Sequence, residues 1–291
     1  MDAKTPLSDI MESAYRAHGL VPAFNIAHLP MLKPVVETLK ELNSFGLIEV
    51  SRPDVEKFGA KSFSAVAEEF KNQADPAYCR LHLDHIPVID EDLKPVDWEP
   101  LIRKCLDLGF HSVMIDGSRL PLDENIAATR KVVEMANEYS VPTEAELGAV
   151  LGHEAGPLPP YDELFESGKG FTRPDEARRF VEETGVSWLS VAVGNIHGAI
   201  SAATRDTKKV AARLNIDHLK TLSAAVNRPL VLHGGSGVQR SYLLEAIQNG
   251  ITKINIATDI RQAYERGLKD SDGDVPAAQT ACAVEVRRFV I

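Results

Sequence analysis

The sequence contains little cysteine. Its 291 residues include three, Cys79, Cys105 and Cys282, and none of them belongs to a Cys-x-x-Cys pair. An odd number of cysteines without paired spacing argues against a disulfide framework and against a zinc ribbon. Sparse, unpaired cysteines are typical of proteins in a reducing compartment, so we expect a cytoplasmic location.

Long apolar runs and excess positive charge are also missing. No apolar stretch approaches the roughly 20 residues that cross a bilayer, and the first ten residues, MDAKTPLSDI, lack the apolar core of a signal peptide. The 32 Lys and Arg are outnumbered by 42 Asp and Glu, which gives a formal net charge of -10. Because phosphate backbones are held by clustered Lys and Arg, we expect neither nucleic acid nor a membrane as a partner.

What the sequence does contain is a repeated alternation of short apolar runs, rich in β-branched residues, with longer amphipathic stretches. This alternation is typical of βα units around a parallel sheet. Hydrophobic residues make up 44% of the chain, enough to bury the core of one large domain. The predicted strands are residues 21–26, 47–51, 78–84, 112–117, 142–148, 188–194, 230–235 and 252–258. Eight strands alternating with helices predict a (β/α)8 TIM barrel, a single domain over residues 1–291.

Helices are predicted between the strands over Leu32–Leu42, Trp98–Leu108, Asn125–Tyr139, Pro174–Thr184 and Ser241–Asn249. For the helix that starts at Pro174, Thr172 is the expected N-cap. Two segments, near residues 151–170 and 198–213, do not fit the repeat. Both follow strands and therefore belong to the catalytic face of a barrel, so we interpret them as lid loops, with plain surface loops as the alternative.

Polar residues collect at the predicted C-terminal ends of the strands, where barrel enzymes build their active sites. His85, His197 and His233 follow strands three, six and seven. Each histidine alone could be a surface or core residue, but three imidazoles around one point are the ligands of a catalytic divalent metal with an open position. Zinc is the first choice.

Three carboxylates lie at the same strand ends: Asp84, Asp116 and Glu146. A carboxylate in this place can cap the following helix, an alternative that suits Asp116 best. It can also bind or orient the metal, or move a proton. Because Asp84 directly precedes His85, we favour Asp84 as the acid/base.

A glycine-rich turn leaves strand seven as Gly234-Gly235-Ser236-Gly237. Such a turn lets backbone N–H groups face an anion, and barrels often bind phosphate after strands seven and eight. Taken alone, the turn would more often be only a turn. Its neighbour on strand eight, the segment from Asn255 through Ala257 and Thr258 to Asp259, favours a phosphate site.

The chain resembles the class II fructose-bisphosphate and tagatose-bisphosphate aldolases from about Ala23 to about Tyr264. The matching segments occur in the family order and at comparable separations. They are AFNI, LHLDH, SVMIDGSRLPLDENI, EAELG, FTRPDEARRFVEETG, VAVGNIHG, LVLHGGSG and KINIATD. The resemblance implies cleavage of a ketose phosphate or bisphosphate to dihydroxyacetone phosphate and an aldehyde, through a metal-stabilised enediolate. It also implies a homo-oligomer, dimeric or tetrameric, and a possible monovalent cation.

The resemblance assigns roles residue by residue. Asp84 corresponds to the residue that exchanges a proton with the C4 hydroxyl, and Glu154 to a mobile-loop glutamate that handles the proton on carbon. The implied metal ligands are His85, His197 and His233, with Glu146 and Asp116 as carboxylates that hold or orient the metal. The implied substrate and phosphate contacts are Asn25, Ser51, Gly198, Gly234, Gly235, Ser236, Asn255, Ala257 and Thr258.

The sequence departs from the family where relatives recognise the distal end of the sugar and a monovalent cation. Strand two reads Glu49-Val-Ser51-Arg52 where relatives are neutral, and Ile86-Pro87 follows LDH where relatives have Gly. Strand alternation puts Glu49 and Ser51 on one face and Arg52 on the other. If Glu49 faces inward, its charge disfavours a second phosphate, so we expect fructose 1,6-bisphosphate to be a poor substrate.

Three other functions compete with this interpretation. Schiff-base chemistry needs a lysine at the site, and Lys253, the only lysine in the predicted strands, lies at the start of strand eight, away from the catalytic rim. A metal-dependent hydrolase of the amidohydrolase type would need His-x-His after strand one, which reads Asn25-Ile-Ala-His28. A paralogue that binds sugar phosphate without turnover is the third alternative.

Overall fold

Eight parallel strands close into a barrel in which each strand pairs with its neighbours in sequence and the last pairs with the first. The computed structural model describes residues 2–148, 161–195, 212–235 and 237–290. The strands are β1 Val21–Asn25, β2 Gly46–Val50, β3 Cys79–Pro87, β4 Ser112–Asp116, β5 Thr143–Leu147, β6 Trp188–Val191, β7 Leu230–Leu232 and β8 Ile251–Ile256. The predicted TIM barrel is confirmed.

Helices cover the outside of this barrel, and a short 3-10 helix, Leu29–Met31, leads into the second of them. In chain order they are α1 Leu7–Arg16, α2 Leu32–Glu41, α3 Arg52–Glu56, α4 Phe63–Gln73, α5 Trp98–Asp107, α6 Leu122–Asn137, α7 Tyr161–Ser167, α8 Pro174–Thr184, α9 Ile216–Val226, α10 Arg240–Gln248, α11 Thr258–Asp270 and α12 Val275–Val290. Within the described ranges, no helix is long and apolar enough to cross a bilayer.

One predicted cap is wrong. The N-cap of α8 is Arg173, without a side-chain cap hydrogen bond. The hydroxyl of Thr172 instead donates to the Leu147 carbonyl and accepts from the Ala192 N–H at 2.8 Å. Thr172 therefore joins the ends of β5 and β6, because two buried backbone groups of the sheet compete with the helix for the same hydroxyl.

The N-terminal end of the barrel is closed by α1. Leu7, Ile10 and Met11 of this helix are buried against the inward-facing side chains of the lowest barrel layer. That layer consists of Val21, Ala23, Leu47, Trp188 and Val231. Burying this apolar surface is the favourable term that holds α1 across the barrel end.

The described ends of the two predicted lid loops contact each other. Tyr161, at the start of α7, donates its hydroxyl toward the carbonyls of Gly194 and Arg213, and this hydroxyl accepts from the Arg213 N–H at 2.7 Å. The Arg213 guanidinium lies 4.5 Å from the ring centroid of Phe165, and it pairs with Asp162 at 2.5 Å. The lid interpretation itself falls mostly on residues 149–160 and 196–211, which lie outside the described residues.

Candidate active site

Two histidines and one glutamate converge at the C-terminal end of the barrel. His85 Nε2 and His233 Nδ1 lie 2.6 Å apart. Glu146 Oε2 lies 3.9 Å from His85 Nε2 and 3.8 Å from His233 Nδ1. Imidazole nitrogens with a carboxylate oxygen are the donor set of a divalent transition metal, so this group fits a metal ion.

A local irregularity of β3 directs His85 toward this point. The pairing of β3 with β4 shifts register between Leu83 and Ile86, and His85 has a positive φ of 35°. A bulge of this kind turns one side chain out of the regular alternation. It lets Asp84 and His85, which are adjacent in sequence, both face the interior of the site.

Asp116 holds the other side of the His85 ring. Its Oδ2 lies 3.4 Å from His85 Nδ1, while its Oδ1 accepts hydrogen bonds from the N–H and the hydroxyl of Ser118. A carboxylate behind a metal-binding imidazole fixes the ring orientation and strengthens the ligand. Asp116 therefore holds the His85 ring, and the role beside a metal that the resemblance implies for Asp116 stays a prediction.

The two histidines differ in their affinity for a proton. Burial would lower the pKa of His85, but the charges of Asp84, Asp116 and Glu146 outweigh it and raise this pKa to about 10. Burial, followed by the charge of His85, lowers the pKa of His233. The carboxylates around this pair of rings therefore favour a cation at this place.

Asp84 lies directly beside this group and is held at both oxygens. Asn255 Nδ2 donates to its Oδ1 at 2.9 Å and Asn25 Nδ2 donates to its Oδ2 at 2.9 Å. Burial would raise the pKa of Asp84, but the nearby His85 and His233 lower it. Asp84 is therefore a fixed carboxylate, ready to accept a proton.

Ser51, a predicted substrate contact, caps α3. Its hydroxyl donates to Asp54 Oδ2 at 2.7 Å, its backbone N–H donates to the same oxygen at 2.8 Å, and the Asp54 N–H points back to Ser51 Oγ. Asn25 Nδ2 also reaches Asp54 Oδ2 at 3.2 Å. The capping box fixes the strand-two rim, and the substrate roles of Asn25 and Ser51 stay predictions.

The predicted phosphate residues lie where β7 and β8 end. A Cβ at Gly235 would come 2.2 Å from Ile254 Cγ2, so only glycine fits there. Its N–H donates to the Asn255 carbonyl at 3.2 Å, and a phosphate contact through that N–H would require this bond to open. Ala257 is the N-cap of α11, without a side-chain cap, and Thr258 is the first residue of this helix and lines the same cavity as Gly235.

A groove of about 1040 Å³ runs behind this part of the barrel. Ile254 and Ile256 line it, and both lie on the strand face opposite Lys253 and Asn255. The groove is therefore on the outer wall, between β8 and the helices α10, α11 and α12. Gly235 borders both the groove and the site.

Four predicted site residues lie outside the described residues: Glu154, His197, Gly198 and Ser236. The third imidazole of the predicted metal site and the mobile-loop glutamate are among them. The described part of the site is thus two of the three histidines, the three carboxylates and most of the phosphate residues.

Sequence reasoning missed a charged layer beneath the site. Lys253 is fully buried inside the barrel, with its Nζ 3.0 Å from Glu144 Oε2 and 3.2 Å from Glu49 Oε2. Glu144 Oε1 accepts from His233 Nε2 at 2.7 Å, which leaves His233 Nδ1 for a metal. We define the inner layer as Glu49, His82, Glu144 and Lys253. Charged residues at alternating positions inside the predicted strands are the sequence signal that could have indicated this layer.

The structure corrects the sequence argument about Lys253. This lysine does not lie away from the site but directly below it. Burial would lower its pKa, but the nearby negative charges, that of Glu144 first, outweigh burial and raise it. A lysine that forms a Schiff base needs a neutral amine that substrate can reach, and Lys253 is a buried, paired ammonium. The conclusion against Schiff-base chemistry stands, on a different physical ground.

The structure also changes the argument about Glu49. This side chain does face inward, but it is completely buried in the inner layer rather than exposed at the rim. Burial raises its pKa well above the ordinary value of 4.5. The expected charge repulsion with a distal phosphate therefore loses its basis. Arg52 does not follow the strand alternation either, because β2 ends at Val50 and Arg52 begins α3.

A closed (β/α)8 barrel with a metal-type donor set beside a fixed carboxylate is the architecture of a metal-assisted barrel enzyme. A family model, fructose-bisphosphate aldolase class-II, matches residues 5–288. The chain therefore belongs to the class II fructose-bisphosphate aldolase family, and it is an aldolase, a carbon–carbon lyase.

Solved structures of aldolases have the same fold. The YdjI aldolase from Escherichia coli K12 is 26% identical, with a TM-score of 0.75 and coverage of 98% of this chain and 94% of that one. A putative fructose-1,6-bisphosphate aldolase from Coccidioides immitis is 22% identical, with a TM-score of 0.75 and coverage of 98% and 95%. A fructose-bisphosphate aldolase from Campylobacter jejuni is 20% identical, with a TM-score of 0.74 and coverage of 97% and 91%.

Proposed function

We propose that this aldolase cleaves a ketose 1-phosphate between C3 and C4, releasing dihydroxyacetone phosphate and an aldehyde, and that it needs a divalent metal, zinc by preference. One observation carries the proposal. Three metal-type donor atoms, on His85, His233 and Glu146, converge next to the ionised and doubly hydrogen-bonded Asp84.

The metal would be held by His85 Nε2, His233 Nδ1 and Glu146, with His197 as the proposed third imidazole. When bound, it supplies Lewis-acid polarisation of the ketose carbonyl, which stabilises the negative charge left on C3. The protein residues prepare this place: Asp116 fixes the His85 ring, and Glu144 fixes His233 through its Nε2. The monovalent cation stays a further proposal.

Asp84 takes the proton of the C4 hydroxyl during cleavage and returns it during synthesis. Its lowered pKa makes it a carboxylate at neutral pH, which is the form that can accept this proton. The amides of Asn25 and Asn255 hold both of its oxygens, so the carboxylate does not have to reorganise as the proton moves. Glu154 is proposed to deliver the proton to C3 of the product half.

The C1 phosphate is proposed to bind between the turn after β7 and the start of α11. Gly235 keeps this turn close to β8, since no larger residue fits. The first turn of α11 presents backbone N–H groups and the positive end of the helix dipole, which favours an anion. The remaining proposed contacts are Gly198, Gly234, Ser236, Asn255, Ala257 and Thr258, with Asn25 and Ser51 at the strand-one and strand-two ends.

The distal end of the substrate is proposed to lack a phosphate. The cations on the strand-two side already have carboxylate partners: Arg52 Nε donates to Glu56 at 2.7 Å and its Nη1 lies 3.5 Å from Asp90 Oδ2. Lys57 pairs with Glu91. A second phosphate would have to break these pairs or meet their negative charges. These paired cations, rather than the charge of Glu49, are therefore the reason to expect that fructose 1,6-bisphosphate is a poor substrate.

A substrate panel tests the proposal. Purified protein loaded with zinc is assayed for triose-phosphate release from ketose 1-phosphates and from ketose 1,6-bisphosphates, with metal content measured in parallel. We expect turnover of at least one ketose 1-phosphate and a lower kcat/KM for fructose 1,6-bisphosphate. A preference for fructose 1,6-bisphosphate would contradict the distal-end argument. Binding of sugar phosphate without any turnover would favour the non-catalytic paralogue instead.

The hydrolase alternative has little support in the site. His28, the histidine nearest the end of β1, pairs with Glu265 at 2.9 Å and stacks on Tyr264, and Asn25 points to Asp84 instead. A cytoplasmic location and a homo-oligomer, dimer or tetramer, stay proposals. The cysteines of the described chain are buried free thiols, which suits a reducing compartment. Light scattering of the purified protein tests the oligomeric state.

A further inference from the structure

Lys253 occupies a place that barrels normally fill with apolar side chains. The middle layer of a TIM barrel is usually made of bulky branched residues, and an ammonium buried there is costly unless its donors are all bonded. Lys253 Nζ donates to Asn255 Oδ1 at 2.7 Å, and it lies 3.0 Å from Glu144 Oε2 and 3.2 Å from Glu49 Oε2. The shortest of the three contacts is the one that leads toward the active site.

The bond to Asn255 determines which way the amide faces. An ammonium only donates, so the atom of Asn255 that faces Lys253 must be the acceptor Oδ1. The Nδ2 group then points the other way, toward Asp84, where it donates to Oδ1 at 2.9 Å. Lys253 and Asp84 therefore hold the amide from its two ends, and without Lys253 only the contact with Asp84 opposes rotation of the amide.

We propose that Lys253 is the positioning residue for the acid/base Asp84 and acts on it through the side-chain amide of Asn255. This inference rests on the proposed role of Asp84 in carbon–carbon cleavage. Lys253 itself does not touch substrate. It fixes the donor that holds one Asp84 oxygen, while Asn25 holds the other.

The competing explanation is that Lys253 only neutralises the buried Glu144. The two explanations differ in which step fails when the lysine is lost. Asp84 is proposed to accept the proton of the C4 hydroxyl during cleavage. Exchange of a C3 hydrogen of dihydroxyacetone phosphate with solvent does not involve C4. Loss of positioning therefore slows cleavage alone, and general damage to the site slows both reactions.

The test uses full-length, zinc-loaded Lys253→Met. We expect kcat for cleavage to fall about 30-fold or more, the scale of a displaced catalytic group, with KM and C3 hydrogen exchange each within about twofold of the wild type. Asn255→Ala should lower kcat similarly, and the double variant should be no slower than the slower single variant, because both act on one contact. Equal loss of cleavage and exchange, or additive effects, would overturn the proposal.

Trp188→Phe is the matched control. Trp188 Nε1 donates to Glu144 Oε2 at 2.7 Å. This variant therefore also removes a hydrogen bond to Glu144 of the inner layer, but it leaves the Lys253–Asn255–Asp84 contacts in place. We expect its ratio of cleavage to exchange to equal that of the wild type. If Lys253→Met does not fold, Lys253→Met combined with Glu144→Gln keeps the buried charge balanced and undergoes the same assays.

A crystal structure of the folded Lys253 variant gives a readout that does not depend on activity. We expect the Asn255 amide to leave Asp84 or to take two orientations. An Asn255–Asp84 hydrogen bond unchanged from 2.9 Å would refute the inference. If the wild-type protein cleaves no ketose phosphate, the proposed function fails, and this structural comparison still decides whether Lys253 holds the amide.

Discussion

The two ends of the barrel interior are built in opposite ways. At the N-terminal end, α1 buries Met11 and its neighbours against an apolar layer that includes Leu47 and Trp188. Above it, the inner layer and the site place carboxylates, imidazoles and one ammonium in the same closed space. Burial of apolar side chains stabilises the N-terminal end. The polar end carries the candidate catalytic groups, and it is stable only while each buried charge keeps its partner.

Loss of the metal should have the largest effect on turnover, and it should leave the fold of the apolar end unchanged. We expect chelation to abolish turnover and zinc to restore it. His85→Ala should lower turnover about 1000-fold or more, since Lewis-acid stabilisation is worth several kcal/mol. Metal content by mass spectrometry, circular dichroism and turnover are measured together.

A histidine at the opposite end provides the control for that experiment. His111, just before β4, accepts from the Leu81 N–H at 3.1 Å, and burial lowers its pKa to about 4. His111→Gln should keep its metal and its turnover. Full activity in metal-free protein would contradict the separation between the two ends.

Asp84→Asn should be the next largest effect. The amide keeps the size of the side chain but cannot accept the C4 proton, so kcat should fall about 100-fold or more. Metal content should stay near that of the wild type, because the proposed metal ligands are on other residues. Unchanged turnover would remove Asp84 from the proposed mechanism.

The strands were easier to predict from the sequence than the contacts inside the barrel. All eight strands were predicted within about three residues, because β-branched runs between amphipathic stretches report burial directly. The position of Asp84, His85 and His233 followed from strand ends in the same way. Barrel topology brings strand ends together whatever the details of their side chains.

Contacts across the barrel could not be predicted in this way. Lys253 was expected away from the rim, since sequence order gives its height on β8 but not the carboxylates of β2 and β5 that surround it. The bulge at His85 and the diversion of Thr172 to β5 and β6 depend on register and on backbone partners. These are properties of the assembled sheet rather than of any one segment.

Met11→Ala tests the apolar end, because it removes a buried side chain of α1 from the packing there. Met11 has no exposed surface, and truncation of a buried methionine costs about 2–5 kcal/mol of unfolding free energy. Urea denaturation measures the loss, and kcat under native conditions should stay within about twofold. Leu244→Ala on α10, where the side chain is 55% exposed, should change stability by less than about 0.5 kcal/mol. A large fall in kcat for Met11→Ala would mean that the two ends are coupled.

The smallest effect is expected for Glu49→Gln, which tests how charge is distributed within the polar end. Among the described residues, neither Glu49 oxygen has a hydrogen-bond partner, although Lys253 lies 3.2 Å away. Burial raises the pKa of Glu49 well above its ordinary value of 4.5, which favours the neutral acid, a form that glutamine imitates in shape and charge. A folded-state pKa above 4.5 means that Glu49 takes up a proton on folding, and its contribution to stability falls as pH rises above that value. Glu49→Gln should therefore remove this loss, with a gain over the wild type that grows as the pH rises above 4.5 in urea denaturation. The ratio of kcat/KM for fructose 1,6-bisphosphate to that for a ketose 1-phosphate should change by less than about twofold.

Glu144→Gln is the matched contrast, because Glu144 is an ionised partner of Lys253 and its loss should cost about 3–5 kcal/mol of unfolding free energy. A clear shift toward the bisphosphate in Glu49→Gln would show instead that Glu49 is charged and acts on the distal phosphate.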